Sequence, residues 1–351
     1  MEPRQETAEK KSFLNHIHYF RAFAILNIVI VHVWHIPRIY IESQYASYTL
    51  INVLREVMFH ESTIYFIFIS GFLFYYLSPK FNIQRYYKSK FTNVISPYIF
   101  MTLFALIIHL NDFIRPEDSL LLSFKKILNV FIYGKAQVQY WYIPFISLVF
   151  IISPFILKIP KPILSKIILF ACFLPLLGTR TGTTVSVGQY IYFFPIYLLG
   201  IYIAMDYANF ISKIETKKTL LVTTTILSTG VLLYIHWKNY QFSFSNITES
   251  VFYIQKISLS FLILIALKKL EYKKIPILNS FATYSFAVYF THLLVGNRWV
   301  HKYYYTIVSK SSFLIIPASI VYVVTITFAT LFICMSLKKL LGKQSRYFIG
   351  V

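Results

Sequence analysis

The chain has 351 residues, of which 57% are hydrophobic and only 13% charged, too little charge to coat a water-soluble globular surface. A net charge of +21 would suit nucleic acid, but Lys and Arg stand in short clusters between apolar stretches rather than along one element, so no nucleic-acid partner is expected. Two cysteines, Cys172 and Cys334, lie within apolar stretches without the spacing of a metal site, and no metal is expected.

The N-terminal segment 1–15 is polar, mixed in charge and without a signal-peptide pattern. Apolar stretches then recur near 16–36, 50–78, 91–110, 140–157, 163–179, 188–205, 218–236, 250–267, 278–297 and 313–336. Most are close to the ~20 residues that a helix needs to cross the hydrocarbon core. The fold expected is an all-α membrane protein of about ten transmembrane helices, forming one membrane domain over residues 1–351.

Basic residues concentrate in alternate connections: Lys80, Arg85, Lys88 and Lys90, then Lys158, Lys161 and Lys166, then Lys213, Lys217 and Lys218, then Lys268, Lys269, Lys273 and Lys274. By the positive-inside rule these loops are cytoplasmic, as are both termini, and residues 337–351 form a basic cytoplasmic tail. The loop 111–139 balances its bases with Asp112, Glu117 and Asp118, and its part from Leu120 to Val130 reads as an amphipathic helix on the outer surface.

Ionisable groups at membrane depth are costly, so each is a functional candidate. In the first stretch Arg21 and His32 are eleven residues apart. That spacing is about 20° past three full turns, so both project from one face, roughly 16 Å apart along the axis. A guanidinium near the inner mouth is a good phosphate ligand, and a histidine deeper on the same stripe can take a proton from an alcohol. The bland alternative is that Arg21 snorkels to headgroups and His32 bonds a neighbouring helix.

His35, beside Trp34, falls at the interface. Glu61 is either a buried carboxylate in mid-span, able to orient an imidazole or pair an arginine, or an outer-interface residue if its span begins near Ser62. Ser70-Gly71 offers a point of close helix approach. Trp141 and Tyr142 open the fourth stretch, as part of an aromatic belt or as a stacking platform for a sugar. His292 reaches a depth close to that of His32 in the ninth stretch, where the two can face one cavity.

Four elements in order resemble the acyltransferase family 3 integral membrane proteins: Arg21 and His32 as Arg-x10-His, FISGF from Phe68 to Phe72, KSKFTNVISPY leading to Pro97 and Tyr98, and Ser285, Tyr289 and His292 as SxxxYxxH. The WYIPF stretch from Trp141 and FPIYLLG from Phe194 are similar to the family's middle spans. The LLGKQ stretch from Leu340 is similar to the branch linked to O-acetylation or O-succinylation of exported polysaccharides.

The resemblance implies an acyl-CoA-dependent O-acyltransferase that moves a short acyl group to a hydroxyl of a cell-surface polysaccharide. It implies acyl-CoA, expected to be acetyl-CoA, as co-substrate, with no tightly bound cofactor. His32 is then the catalytic base, Glu61 and His292 its candidate support, Arg21 and Lys90 the donor-binding cations, and Trp141 and Tyr142 candidates for the acceptor. Where many members have Arg-x-x-Arg, this chain has Lys90 and Asn93, a point charge in place of a bidentate fork. Implied partners are the glycan, membrane lipids and polysaccharide synthase subunits, and the implied location is the bacterial cell membrane. The competing readings are a polysaccharide exporter or flippase without acyl chemistry, and a scaffold within a synthase complex.

Overall fold

The computed structural model describes residues 13–34, 46–178, 180, 184–240, 246–296, 300, 302 and 315–351. His35 and most of segment 1–15 lie outside these residues. Among the described residues the chain is helical throughout, without a strand. In order the helices are Asn15–Val33 (α1), Ala46–Phe59 (α2), Thr63–Tyr76 (α3), Ile83–Lys90 (α4), Ser96–Ile108 (α5), Leu110–Phe113 (α6), Leu120–Tyr133 (α7) and Tyr142–Ile156 (α8). They continue as Lys161–Ala171 (α9), Val187–Met205 (α10), Tyr207–Thr216 (α11), Lys218–Lys238 (α12) and Ile247–Lys268 (α13). Pro276–Thr283 (α14), Ser285–Val295 (α15), Ile315–Leu341 (α16) and Ser345–Phe348 (α17) complete the order.

Among the described residues seven helical segments are long and apolar enough to cross a membrane, and α8 and α15 are shorter apolar helices. The protein is a multi-pass, all-helical membrane protein. The stretch expected at 163–179 is mostly α9, whose eleven residues span roughly 17 Å, short of the ~30 Å core. Large apolar side chains point outward in helical rows, as with Ile99, Leu103 and Ile107 on α5 and Val321, Val324, Phe328 and Phe332 on α16. In water such rows would be a liability; against lipid they need no cover. Helix α7 forms where an amphipathic helix was expected, capped by the Ser119 hydroxyl at its start and by Gly134 at φ 67° at its end.

Two departures from regular helix shape the interior. The second apolar stretch is not one helix: α2 stops at Phe59 and α3 begins at Thr63, with Glu61 at φ 59° between them. Both alternatives for Glu61 are thus partly met, because a helix does begin near Ser62, yet Glu61 is only 5% exposed. The Ser62 hydroxyl accepts this geometry by donating to the Phe59 carbonyl at 2.5 Å. Further along, a π-helical turn from Phe91 to Ile95 joins α4 to α5, just before Pro97, which has no N–H to offer the ladder.

Helices α3 and α10 cross at closest approach through two glycines. A Cβ on Gly71 would stand 1.9 Å from the Tyr197 carbonyl oxygen, and one on Gly200 would stand 2.2 Å from that of Phe68. Only hydrogen fits at either place, as small-residue packing in lipid requires. At the other side of the bundle the backbone N–H groups of Asn15 and His16 donate to the Glu271 carboxylate at 3.2 and 3.0 Å, so that an acid caps the positive start of α1. The buried His16 ring bonds that carboxylate with one nitrogen and the Tyr207 hydroxyl with the other, tying α1, α11 and the α13–α14 connection together at the lysine-rich end.

Candidate functional site

At the lysine-rich end lies a cavity of about 550 Å³ lined by Arg21, Lys80, Arg85 and Lys90, with no Asp or Glu among its lining residues. Helix α1 supplies Arg21, whose Nη2 donates to the Ser285 hydroxyl at 2.9 Å. Helix α4 supplies Arg85 and Lys90, its first turn closed by Asn82, which accepts from the Arg85 N–H at 2.9 Å. The π turn places Asn93 and Val94 on the same wall. Lys90 Nζ sits 4.0 Å from the Phe150 ring centroid and 5.3 Å from that of Tyr86. Aromatic faces hold the ammonium without neutralising it. Four cations around one apolar-walled cavity, with no carboxylate among the described lining residues, suit a polyanion.

A second cavity, of about 210 Å³, is lined by His32 and by a charged group comprising Arg55, Glu56, His60, Glu61 and Arg180. Glu61 pairs with Arg180, and His60 Nε2 lies 3.0 Å from Arg180 Nη1 and 3.2 Å from Glu61 Oε1. His60 Nδ1 in turn meets Glu56 Oε2 at 2.9 Å, and Glu56 pairs with Arg55. Two arginines and two glutamates balance, so this cavity carries no cationic surplus like that of the first. Its polar capacity is not fully used. Glu61 Oε2, Arg180 Nε and both amide atoms of Gln139 are buried without a partner among the described residues. Such groups cost about 1–3 kcal/mol each when left unpaired, which favours a site kept open for a polar ligand.

Between the two cavities is a void of about 10 Å³, lined by Ile28, Thr63, Phe66, Tyr142, Phe286 and Tyr289. Phe66 and Phe286 also line the basic cavity, Ile28, Thr63 and Tyr289 the histidine cavity, and Tyr142 both. Arg21 and His32 therefore stand on the two sides of one aromatic constriction. The His292 ring lies beside that of His32, with centroids 5.5 Å apart. His292 is fully buried, and its Nδ1–H donates to the Val288 carbonyl at 3.0 Å. A carbonyl only accepts, so the neutral ring carries its proton on Nδ1 and leaves Nε2, which has no partner among the described residues, as an acceptor.

Each candidate from the sequence can now be placed. Arg21 and Lys90 share the basic cavity, and Asn93 is on its wall. His32, Glu61, Trp141 and Tyr142 line the histidine cavity, while His292 packs behind it against His32. Trp141 is 4% exposed, stacked on Phe193 at 5.2 Å between centroids, with the Arg180 guanidinium carbon 5.3 Å from its own. Its contacts brace Arg180. The SxxxYxxH residues do three separate things: Ser285 accepts from Arg21, the Tyr289 hydroxyl donates to the Gln139 carbonyl, and His292 meets His32.

Arg180 and Gln139 carry no sequence signal of a site, whereas Arg55, Glu56 and His60 carry one as ionisable groups within the stretch 50–78; the grouping of all five depends on the broken helix at Glu61 and on tertiary folding. Lys256 carries such a signal too, as a lysine inside the apolar stretch 250–267. It is fully buried on α13, and its Nζ donates to the Met58 carbonyl at 2.8 Å and the Val57 carbonyl at 3.4 Å, capping the end of α2 at the break.

Residues 14–339 match the family model described as an acyltransferase domain, the third acyltransferase family. No curated protein and no solved structure matches the chain.

Proposed function

The chain belongs to acyltransferase family 3, a family of membrane acyltransferases, and from that premise we propose that it moves a short acyl group from acyl-CoA to a hydroxyl of a cell-surface or exported polysaccharide. The observation that carries this reading is the pairing of a purely cationic cavity with a histidine cavity across one constriction. The phosphates of the donor suit the four cations, with Arg21 and Lys90 among them, and its thioester arm suits the aromatic passage. By the positive-inside rule the lysine-rich end is cytoplasmic, which places the donor inside and both termini with it. Counting α8, α9 and the α14–α15 pair as crossings gives the ten spans that this orientation needs.

In the step proposed, His32 takes the proton of the acceptor hydroxyl as its oxygen attacks the thioester carbonyl carbon. A carbon–oxygen bond forms and the carbonyl electrons move to oxygen. Collapse breaks the carbon–sulfur bond, and the CoA thiolate leaves and takes the proton from the His32 imidazolium. His292 keeps the neighbouring imidazole in place, and Glu61 neutralises Arg180 within the acceptor cavity. Gln139, with both amide atoms unpartnered, is suited to a sugar hydroxyl or the developing oxyanion. The test is mass spectrometry of surface glycans from cells with the intact gene, without it, and with His32→Ala. Acyl groups present only with the intact gene are expected. Glycans acylated equally in all three overturn the proposal, and unmodified glycan lost from the surface without the gene points to an exporter instead.

A further inference from the structure

The constriction between the cavities limits which acyl groups pass, and this inference rests on the donor reading above. The acyl end of a donor held by the basic cavity has to enter the constriction first. The six side chains there include no charged group. Four are aromatic, and three of these rings stand in a row: Phe286 and Tyr289 have centroids 6.0 Å apart, and Tyr289 and Tyr142 5.9 Å apart. The Tyr289 hydroxyl is committed to the Gln139 carbonyl, so this ring is fixed at its far end. Tyr142 is 5% exposed and Phe66 7%, which leaves little room for either to swing aside. The open space of about 10 Å³ is that of roughly one water.

From this geometry we propose that Tyr142, Tyr289, Phe66 and Phe286 form a selectivity ring that admits neutral, unbranched acyl groups and rejects charged or branched ones. A linear chain is no wider than the thioester arm that follows it, so a ring that admits the arm admits the chain. A branch widens that section at one carbon. A terminal carboxylate, as on a succinyl group, must shed its water where no cation replaces it, and its free-energy cost falls directly on the rate. The arginines beyond the ring offer little compensation, since Arg180 and Arg55 already pair with Glu61 and Glu56.

Four donors separate these effects: acetyl-, butyryl-, isobutyryl- and succinyl-CoA. Butyryl and isobutyryl differ only in branching, and butyryl and succinyl have the same chain length but differ in charge. Each is measured as a competitor of radiolabelled acetyl-CoA bound to the purified wild-type protein, and as a donor to oligomers of N-acetylglucosamine. Butyryl-CoA is expected to follow acetyl-CoA, with isobutyryl-CoA roughly 10-fold and succinyl-CoA roughly 100-fold poorer. Phe286→Ala, or Phe66→Leu where that variant does not fold, should recover isobutyryl-CoA but leave succinyl-CoA excluded. Equal ranking of the four, or a wild type that prefers succinyl-CoA, overturns the ring while leaving the donor reading intact. Failure of acetyl-CoA itself to bind the wild type overturns the donor reading instead.

Discussion

His32 acquires its setting from residues far apart in sequence. Its own stripe on α1 gives it Arg21 on the same face, and α15 brings His292 to its ring. The Glu61–Arg180 pair on the facing wall is nearly buried, with side-chain exposures of 2% and 17%. Removing one partner of such a pair leaves an uncompensated charge, a loss of about 3–5 kcal/mol in a dry site. Arg180→Gln is therefore expected to lower the melting temperature in detergent and to abolish turnover, and adding Glu61→Gln should return part of the stability but not the activity. A melting curve for each variant decides this; an Arg180→Gln protein as stable as wild type contradicts the pairing. Arg21 and His32 were legible because a helical stripe is a local pattern. Arg180 was not, since GTRTG reads as a loop and its partners, His60 and Glu61, come from the break between α2 and α3.

Among the elements, the broken α2–α3 segment and the α3–α10 crossing govern the site. Ser70-Gly71 announced a close approach in sequence, and the partner backbone proved to be Tyr197 on α10. Gly71→Ala forces a backbone shift and is expected to cost at least about 1–3 kcal/mol, read as reduced yield and earlier thermal inactivation. Lys256 holds the end of α2, so Lys256→Met removes the donor to two buried carbonyls and should lower kcat while leaving donor affinity near that of wild type. A Lys256→Met variant with unchanged kcat would show that the break holds without it. A start near Ser62 was one of the two sequence readings of Glu61, but hydropathy does not register a residue in the left-handed region, so the break within one interior was not legible.

The start of α1 adds a dependence on pH. Burial pushes the Glu271 carboxyl up, but the His16 backbone N–H and imidazole outweigh it and hold the carboxyl below its ordinary value. A carboxylate with a lowered pKa stabilises the fold above the unfolded value of ~4.3 and loses that contribution as pH falls through the lowered one. Thermal stability should thus decline on acidification below about pH 4.3, and Glu271→Gln should flatten that decline. An acid limb of the same slope in both proteins would contradict it.

For the whole molecule, the positions of most long apolar helices followed from composition, since length and hydropathy are what lipid selects. The fourth, fifth and ninth stretches depart from this pattern: α8 has 15 residues, α9 ends after eleven with a 3-10 turn at Leu174–Leu176 behind it, and the ninth is divided between α14 and α15. What hydropathy could not provide is the division of the interior into a cationic and a histidine cavity, because both are lined by several helices at once. That division gives the molecule a direction. The most direct measurement is transfer of radiolabelled acetyl in proteoliposomes, with acetyl-CoA on the lysine-rich face and oligomers of N-acetylglucosamine on the other. The expected result is label in the oligosaccharide, an equal amount of CoA freed on the donor face, and loss of both in His32→Ala. Label that persists in His32→Ala, or oligosaccharide that crosses unlabelled without acetyl-CoA, would contradict it.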